Sequence, residues 1–442
     1  MGIQFVADET RTTTSSLERT KDDRQSDQVR TREGDRAWST NLPLQPTPFI
    51  GREAELAAIA ELVTRVPAGG QAQGSCQLLT LVGPGGVGKT RLALQVATRI
   101  QNRMADGVYY VALQGVQPAH LVATIADAVG VFLRGHADPH VQLLHYLSDK
   151  ELLLVLDSFE HLLVTDIGLL PDILSAAPGV RLLVTSREVL NLQEEWLFPV
   201  RGLEIPDDVS VDNLDAYSAV QFFTERARHV RRNFSLAQER AGVVHICQLV
   251  EGMPLALELA ASWLTTLGCA EIAAEIQRHF SFLSTHLRDI PVRHHSMQAV
   301  FDESWNRLAE EEKAALKRLS VFSGGFEREA AGQVAGASLT ILSSLVDKSL
   351  LRREPDGRYQ IHELLRQYAE EQLGASPESV AETRNRHCIY YAEFLHQRLA
   401  GIDGQEVFAQ EVASELGNVR AAWRWAVEQG NTEAIYKATG TW

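Results

Sequence analysis

The stretch Gly83-Pro84-Gly85-Gly86-Val87-Gly88-Lys89-Thr90 constrains this chain more than any other feature. It lies between an apolar run, Leu78 to Val82, and a helical pattern whose apolar face is Leu92, Val96 and Ile100, with Ala93 and Ala97 beside them. A strand that turns through glycines into a helix is the start of a βα unit, and glycines here let successive backbone N–H groups point inward at an anion. The spelling GxxxxGK[ST] should match by chance in roughly one or two chains in a hundred of this length, and the strand before and helix after make chance rarer still. The segment is therefore expected to cradle phosphates. Gly83, Gly85, Gly86, Val87 and Gly88 form the wrap, with Arg91 just beyond it counted among the contacting residues. Lys89 brings charge to the β- and γ-phosphates, and Thr90 offers a hydroxyl to Mg²⁺, a hard ion that needs few protein oxygens.

Short apolar runs continue to alternate with helical patterns as far as Val200. Val108 to Leu113, Leu152 to Leu156, Leu182 to Thr185 and Leu197 to Val200 read as further strands, the second of these apolar throughout, as a strand buried on both faces should be. The expected fold class is α/β, a P-loop NTPase parallel sheet with helices on both faces. Asp157, at the carboxyl end of the Leu152 strand, is the second candidate ligand of Mg²⁺. Fast ATPases of this kind commonly carry another acid next to the first, to orient the attacking water, but here Ser158 follows. Glu160 is either an acid that acts through a water or a structural carboxylate. The next strand ends in Thr185-Ser186-Arg187, facing the crevice where α/β folds bind ligands, so Arg187 can distinguish ATP from ADP by the presence of a γ-phosphate partner. Lys89, Asp157 and Arg187 are thus the expected catalytic set, for a weak ATPase at most.

At 442 residues the chain has room for about three domains. Residues 1–41 mix charged and hydroxyl side chains with few apolar ones and are expected to be a disordered tail. The phosphate-binding domain should then occupy 42–205, a helical domain 206–292, and a winged helix 293–375, the last from three helices followed by two short strands around Pro355-Asp356-Gly357. The start of a helical, tetratricopeptide-like repeat region is expected over 376–442. A net charge of −15 argues against broad attachment to DNA, no run is apolar enough to span a membrane, and the N-terminus lacks a secretory layout, so the expected location is the cytoplasm. Cys76, Cys247, Cys269 and Cys388 are spaced like core thiols, and adjacent His294 and His295 lack further metal ligands nearby.

Taken together, residues 48 to 375 resemble the signal-transducing STAND ATPases, particularly bacterial regulators with an NB-ARC-like core. The resemblance rests on Phe49-Ile50-Gly51-Arg52-Glu53, the glycine loop, Leu154 to His161, Thr185-Ser186-Arg187, Glu251-Gly252-Met253-Pro254-Leu255-Ala256 and Ile361-His362-Glu363-Leu364, in that order. It implies that Ile50 and Arg52 contact adenine, that Pro254 packs on the base, and that His362 touches the β-phosphate of ADP. From the sequence alone, His362 reads instead as a buried histidine capping the helix after the wing. Some relatives carry Met-His-Asp where this chain has Ile-His-Glu.

The function expected is an ATP/ADP conformational switch reset by slow, Mg²⁺-dependent hydrolysis. Self-association in the ATP state and a protein partner on the C-terminal helical repeats go with it. The rival readings are a transcriptional regulator that binds DNA through the winged helix, and a P-loop transferase. Direct DNA binding is disfavoured because the helix that would enter the groove carries Lys348 beside Asp347 and otherwise Leu, Ser and Val.

Overall fold

Five strands pair in parallel in the order β2-β3-β4-β1-β5: β1 (Leu78–Val82), β2 (Val108–Ala112), β3 (Leu153–Asp157), β4 (Arg181–Ser186) and β5 (Glu195–Pro199). The structure, a computed structural model, describes residues 40–45, 47–65, 76–135, 137–163, 168–211, 213–285, 294–400 and 411–439. The expected tail, 1–41, lies outside the described residues except for its last two. These two belong to the fold, because Thr40 bridges Val108 and Asn41 exchanges hydrogen bonds of 2.8 and 2.6 Å with the backbone of Tyr110. Composition could not register this, since the gain is the pairing of an otherwise open strand edge.

Every residue of β1 and β3 is buried. Successive side chains of a strand point to opposite faces, so each apolar run feeds two cores. Leu154, Leu156, Leu182 and Val184 pack under the helices Leu121–Ala128, Pro139–Leu147 and Leu169–Ala176. Leu79, Leu81, Val155 and Leu183 pack under Glu53–Thr64 and Lys89–Ile100 on the other side. With β4 lying between β1 and β3, the chain ends leaving these three strands are neighbours, and they carry the glycine loop, Asp157 and Arg187.

The rest of the described chain is helical apart from one hairpin. Ser218–Val230, Leu236–Leu249, Pro254–Ser262 and Cys269–Arg278 come first, then Met297–Trp305, Glu310–Leu319 and Leu339–Asp347. The hairpin pairs β6 (Arg352–Arg353) with β7 (Tyr359–Gln360), and Phe326 adds to it through reciprocal backbone bonds with Tyr359 of 2.9 and 2.8 Å. Glu363–Gly374, Pro377–Ala400, Leu416–Glu428 and Thr432–Thr439 follow. One apolar core runs from Leu203 to Ala422, while Thr432–Thr439 packs through Ala434 in a smaller cluster with Cys388, Ala392 and Ala426. The larger core crosses the boundaries expected near residues 292 and 375: the rings of Phe280 and Phe301 meet across the first with centroids 6.0 Å apart, and those of Phe322 and Tyr391 across the second at 6.4 Å.

All four cysteines are buried free thiols. Among the described residues no helix is long and apolar enough to cross a membrane, and no group of three or more His, Cys, Asp and Glu could hold a metal ion.

Candidate nucleotide-binding site

The glycine loop leaves β1 at Val82 and enters the helix Lys89–Ile100. Gly86 and Gly88 have φ of 81° and 92°, a left-handed geometry that favours glycine, and Gly88 is the residue from which the helix starts. Gly85 is glycine for another reason: a Cβ there would lie 2.5 Å from Val300 Cγ1 and 3.0 Å from the Arg187 guanidinium. The Lys89 ammonium donates to the carbonyls of Gly83 and Pro84 at 2.7 and 3.0 Å. Burial disfavours its charge and pulls it down to about 8, with Glu160 acting in the opposite direction.

A lysine that titrates near 8 makes phosphate affinity depend on pH. Below that value Lys89 is charged and attracts the anion, whereas above it binding must first take up a proton. Affinity for ATP is therefore expected to be level up to about pH 8 and then to fall, toward tenfold per unit of pH if Lys89 is the only group involved. Titration calorimetry in buffers of different ionisation enthalpy would show the proton uptake, and Lys89→Arg should remove both effects.

Asp157 lies at the end of β3 and is 5% exposed. Thr90 and Thr185 donate their hydroxyls to its Oδ1, each at 2.6 Å, and Tyr110 donates to Oδ2 at 2.9 Å. A carboxylate and a hydroxyl this close form the hard-oxygen pair that suits Mg²⁺, so these residues fit the ion. The bonds from Tyr110 and Thr185 were not anticipated. A clue to the tyrosine lay in its place two positions before the end of β2, whose last residue is in register with Asp157.

Arg187 is 7% exposed and joins two parts of the molecule. Its Nε faces Glu160 Oε1 at 3.2 Å, on the sheet side. Its two terminal nitrogens reach the helix Met297–Trp305: Nη1 donates to the Val300 carbonyl and to Ser304 Oγ, each at 2.9 Å, and Nη2 to Glu303 Oε2 at 2.5 Å. Glu303 was not foreseen as its partner.

Lys89, Thr90, Arg187, Gly85, Gly86 and Gly88 line one cavity of about 200 Å³, together with Ile50, Arg52, Arg91, Pro254 and Leu255. The loop also bonds directly to the helical region, since Leu255 donates its N–H to the Gly86 carbonyl at 3.2 Å. Arg52 braces the wall, its Nη2 donating to the carbonyls of Val87 and Arg201 at 2.7 and 2.8 Å. Arg91 ties down the entering segment through the carbonyls of Thr47 and Pro48 at 2.7 and 3.1 Å. Phe222 and Glu258 also line the cavity and carry no local motif that would have marked them.

Gly83 and Val87 do not line this cavity, and neither does His362. The imidazole of His362 lies across the loop in a smaller pocket with Pro84, Val87 and Met253. There Nδ1 accepts the N–H of Leu364 at 3.2 Å, capping the helix Glu363–Gly374, and burial lowers the pKa of the ring. Beside it, Glu251 accepts from the Glu363 N–H and from Arg352, each at 2.7 Å, so the Gly-Met-Pro segment is fastened to the hairpin and the helix that follows.

A glycine loop, an aspartate at the end of β3 and an arginine after β4, converging at the carboxyl edge of a parallel sheet, define a P-loop nucleotide-binding ATPase. Residues 48–244 match the AAA ATPase domain family. A Mycobacterium tuberculosis protein named as an HTH-type transcriptional regulator is 35% identical over 378 residues, 82% of this chain and 41% of that protein. An uncharacterized protein of the same species is 32% identical over 349 residues, 76% of this chain and 84% of the relative. A solved STAND protein with a tetratricopeptide repeat sensor, from Pyrococcus horikoshii, aligns over 88% of this chain and 50% of its own, at 16% identity and a TM-score of 0.32. The chain belongs to one family with the uncharacterized Mycobacterium tuberculosis relative and carries an AAA-type P-loop ATPase domain over residues 48–244, and nucleotide binding goes with that domain. It spans less than half the length of the named regulator.

Proposed function

We propose that this chain is an ATP/ADP switch in which the γ-phosphate of ATP competes with the winged-helix region for Arg187. One observation carries the reading: the arginine placed to meet a γ-phosphate is held by Val300, Glu303 and Ser304 of the region that would have to move. With ADP in the cavity, Arg187 keeps these partners and the molecule stays closed. ATP offers a competing anion, and the closed arrangement loses its hold. Moving a two-state equilibrium from mostly closed to mostly open takes about 5.5 kcal/mol of differential affinity. Hydrogen bonds to charged groups contribute about 1.5 to 3 kcal/mol each, so two or three γ-phosphate contacts suffice. Lys89 and Arg187 supply two, and Thr90 with Asp157 would hold the Mg²⁺ that neutralises phosphate charge. In this reading Ile50 and Pro254 face the base, Arg52 and Arg91 fix the wall, and slow hydrolysis resets the switch. His362 acts as a helix cap that joins the hairpin to Glu251, without reaching a phosphate. Self-association in the ATP state and a partner on the C-terminal helices complete the proposal.

The charges of the winged-helix region support an internal role over DNA binding. Lys348 is paired with Glu312 at 2.6 Å, Arg352 with Glu251 at 2.7 Å, and Arg358 with Glu415, so these cations are already engaged within the protein. The relative named as an HTH-type transcriptional regulator supports coupling to transcription through the longer proteins it resembles. The nucleotide retained on purification tests the proposal: bound ADP is expected, exchangeable for Mg·ATP in titration calorimetry. A chain that binds neither nucleotide would have no such function.

A further inference from the structure

We propose that Glu160 is the acid that orients and deprotonates the water attacking the γ-phosphate, in place of the missing acid next to Asp157. The inference rests on ATP occupying the cavity as described above.

Asp157 is already fully engaged. Its Oδ1 accepts from Thr90 and Thr185 and its Oδ2 from Tyr110, an arrangement suited to a fixed anion beside the phosphates and poorly suited to a proton acceptor. Ser158, the next residue, has a neutral hydroxyl and φ of 64°. That left-handed residue turns the chain into the short helix Phe159–Leu162, and Glu160 then lines the same cavity as Lys89, Thr90 and Arg187. Glu160 is 6% exposed, and one of its oxygens is engaged by the Arg187 Nε at 3.2 Å. The other, Oε2, is buried and has no hydrogen-bond partner among the described residues. A buried carboxylate oxygen without a donor is costly, and a water held between it and a phosphate would satisfy it.

The nearby acids are placed differently. Glu303 and Glu188 do not line the cavity; Glu258 does, but its Oε1 faces Arg226 at 3.7 Å, whereas Glu160 Oε1 lies 3.2 Å from the Arg187 Nε, with Arg307 4.0 Å from the same oxygen. Arg187 also provides the link to substrate. Its Nε holds Glu160 while its terminal nitrogens are the ones a γ-phosphate would recruit, so one guanidinium brings the carboxylate and the phosphate together. In the reaction, the water oxygen forms a bond to the γ-phosphorus as the bond from that phosphorus to the β,γ-bridging oxygen breaks. The bridging oxygen leaves on ADP with the electron pair, and Glu160 accepts the water's proton, later passing it to the released phosphate or to solvent.

General-base groups typically contribute about 100- to 10,000-fold. Glu160→Gln, which keeps the shape, is expected to bind Mg·ATP with affinity close to that of the unaltered chain. Its single-turnover conversion of ATP to ADP should fall at least about 100-fold. Chromatography of the protein-bound nucleotide gives a readout independent of rate, with ATP persisting on the variant after the unaltered chain holds only ADP. A conversion rate unchanged in Glu160→Gln overturns the assignment, as does an unaltered chain that binds ATP and never converts it. Should the glutamine variant fail to fold, Glu160→Asp keeps the charge facing Arg187 and withdraws the carboxylate by one methylene. Slowed conversion supports the role there, and an unaltered rate refutes it. Failure of the unaltered chain to bind ATP would instead remove the underlying reading of the site.

Discussion

Lys89→Ala is expected to lower affinity for ATP by about 100-fold or more, and for ADP, which lacks the γ-phosphate contact, by about tenfold or more, leaving the fold intact. The ammonium would bond to phosphate oxygens, and hydrogen bonds to charged groups contribute about 1.5 to 3 kcal/mol each. Losing two such contacts removes about 3 to 6 kcal/mol, at 1.4 kcal/mol for each factor of ten. The fold should tolerate the change because the partners of Lys89 are two carbonyls of its own loop, Gly83 and Pro84, and no core residue depends on it. Calorimetry gives the affinities and circular dichroism the melting point. Unchanged affinity for both nucleotides would mean that the cavity is not the phosphate site.

Glu303→Gln should separate the two nucleotides. If the γ-phosphate and Glu303 compete for Arg187, weakening one competitor strengthens the other, so affinity for ATP rises while that for ADP, which has no γ-phosphate, stays the same. A glutamine can still accept one hydrogen bond, so the lower figure of about 1.5 kcal/mol applies and the expected gain is about tenfold. The variant should also be more open in solution, which small-angle scattering would register as a larger radius of gyration with ADP bound. Equal changes for ATP and ADP, or none for either, would leave Arg187 as a structural link with no part in sensing the nucleotide.

What could be read from the sequence was local. β1 is observed at the residues expected, Leu78–Val82, and the glycine loop, Asp157 and Thr90 converge because strand, turn and helix are specified within a few residues of one another. β5 is displaced from the expected Leu197 to Val200 to Glu195–Pro199, since a strand at the edge of the sheet with half-exposed residues has a weak apolar pattern. The partners of Arg187 were beyond such reading. Glu303 lies 116 positions away on an amphipathic helix whose outward carboxylates look alike until a fold selects one. Tyr110 was hidden for a related reason, because an aromatic in a strand is usually core and only the register with β3 shows its hydroxyl meeting Asp157. For His362 two readings were open, and the helix-capping one is the geometry found.

The single apolar core from Leu203 to Ala422 has a mechanical consequence. The helices and hairpin that share it form one packed body, so a force applied on any of them arrives together at the seam with the sheet. Val200 belongs to the interior beneath the strands and Leu203 to the welded body, which leaves the backbone between them as the natural pivot. Polar ties that cross the seam include Arg187 to Glu303, Leu255 to Gly86, and Val189 to Asp347, with Ile50 packing against the body's core beside them. Such ties can be exchanged for water at small cost, whereas prising apart the welded body would expose its oily interior. Turning that body about residues 200–203 is therefore cheaper than any movement that splits its core.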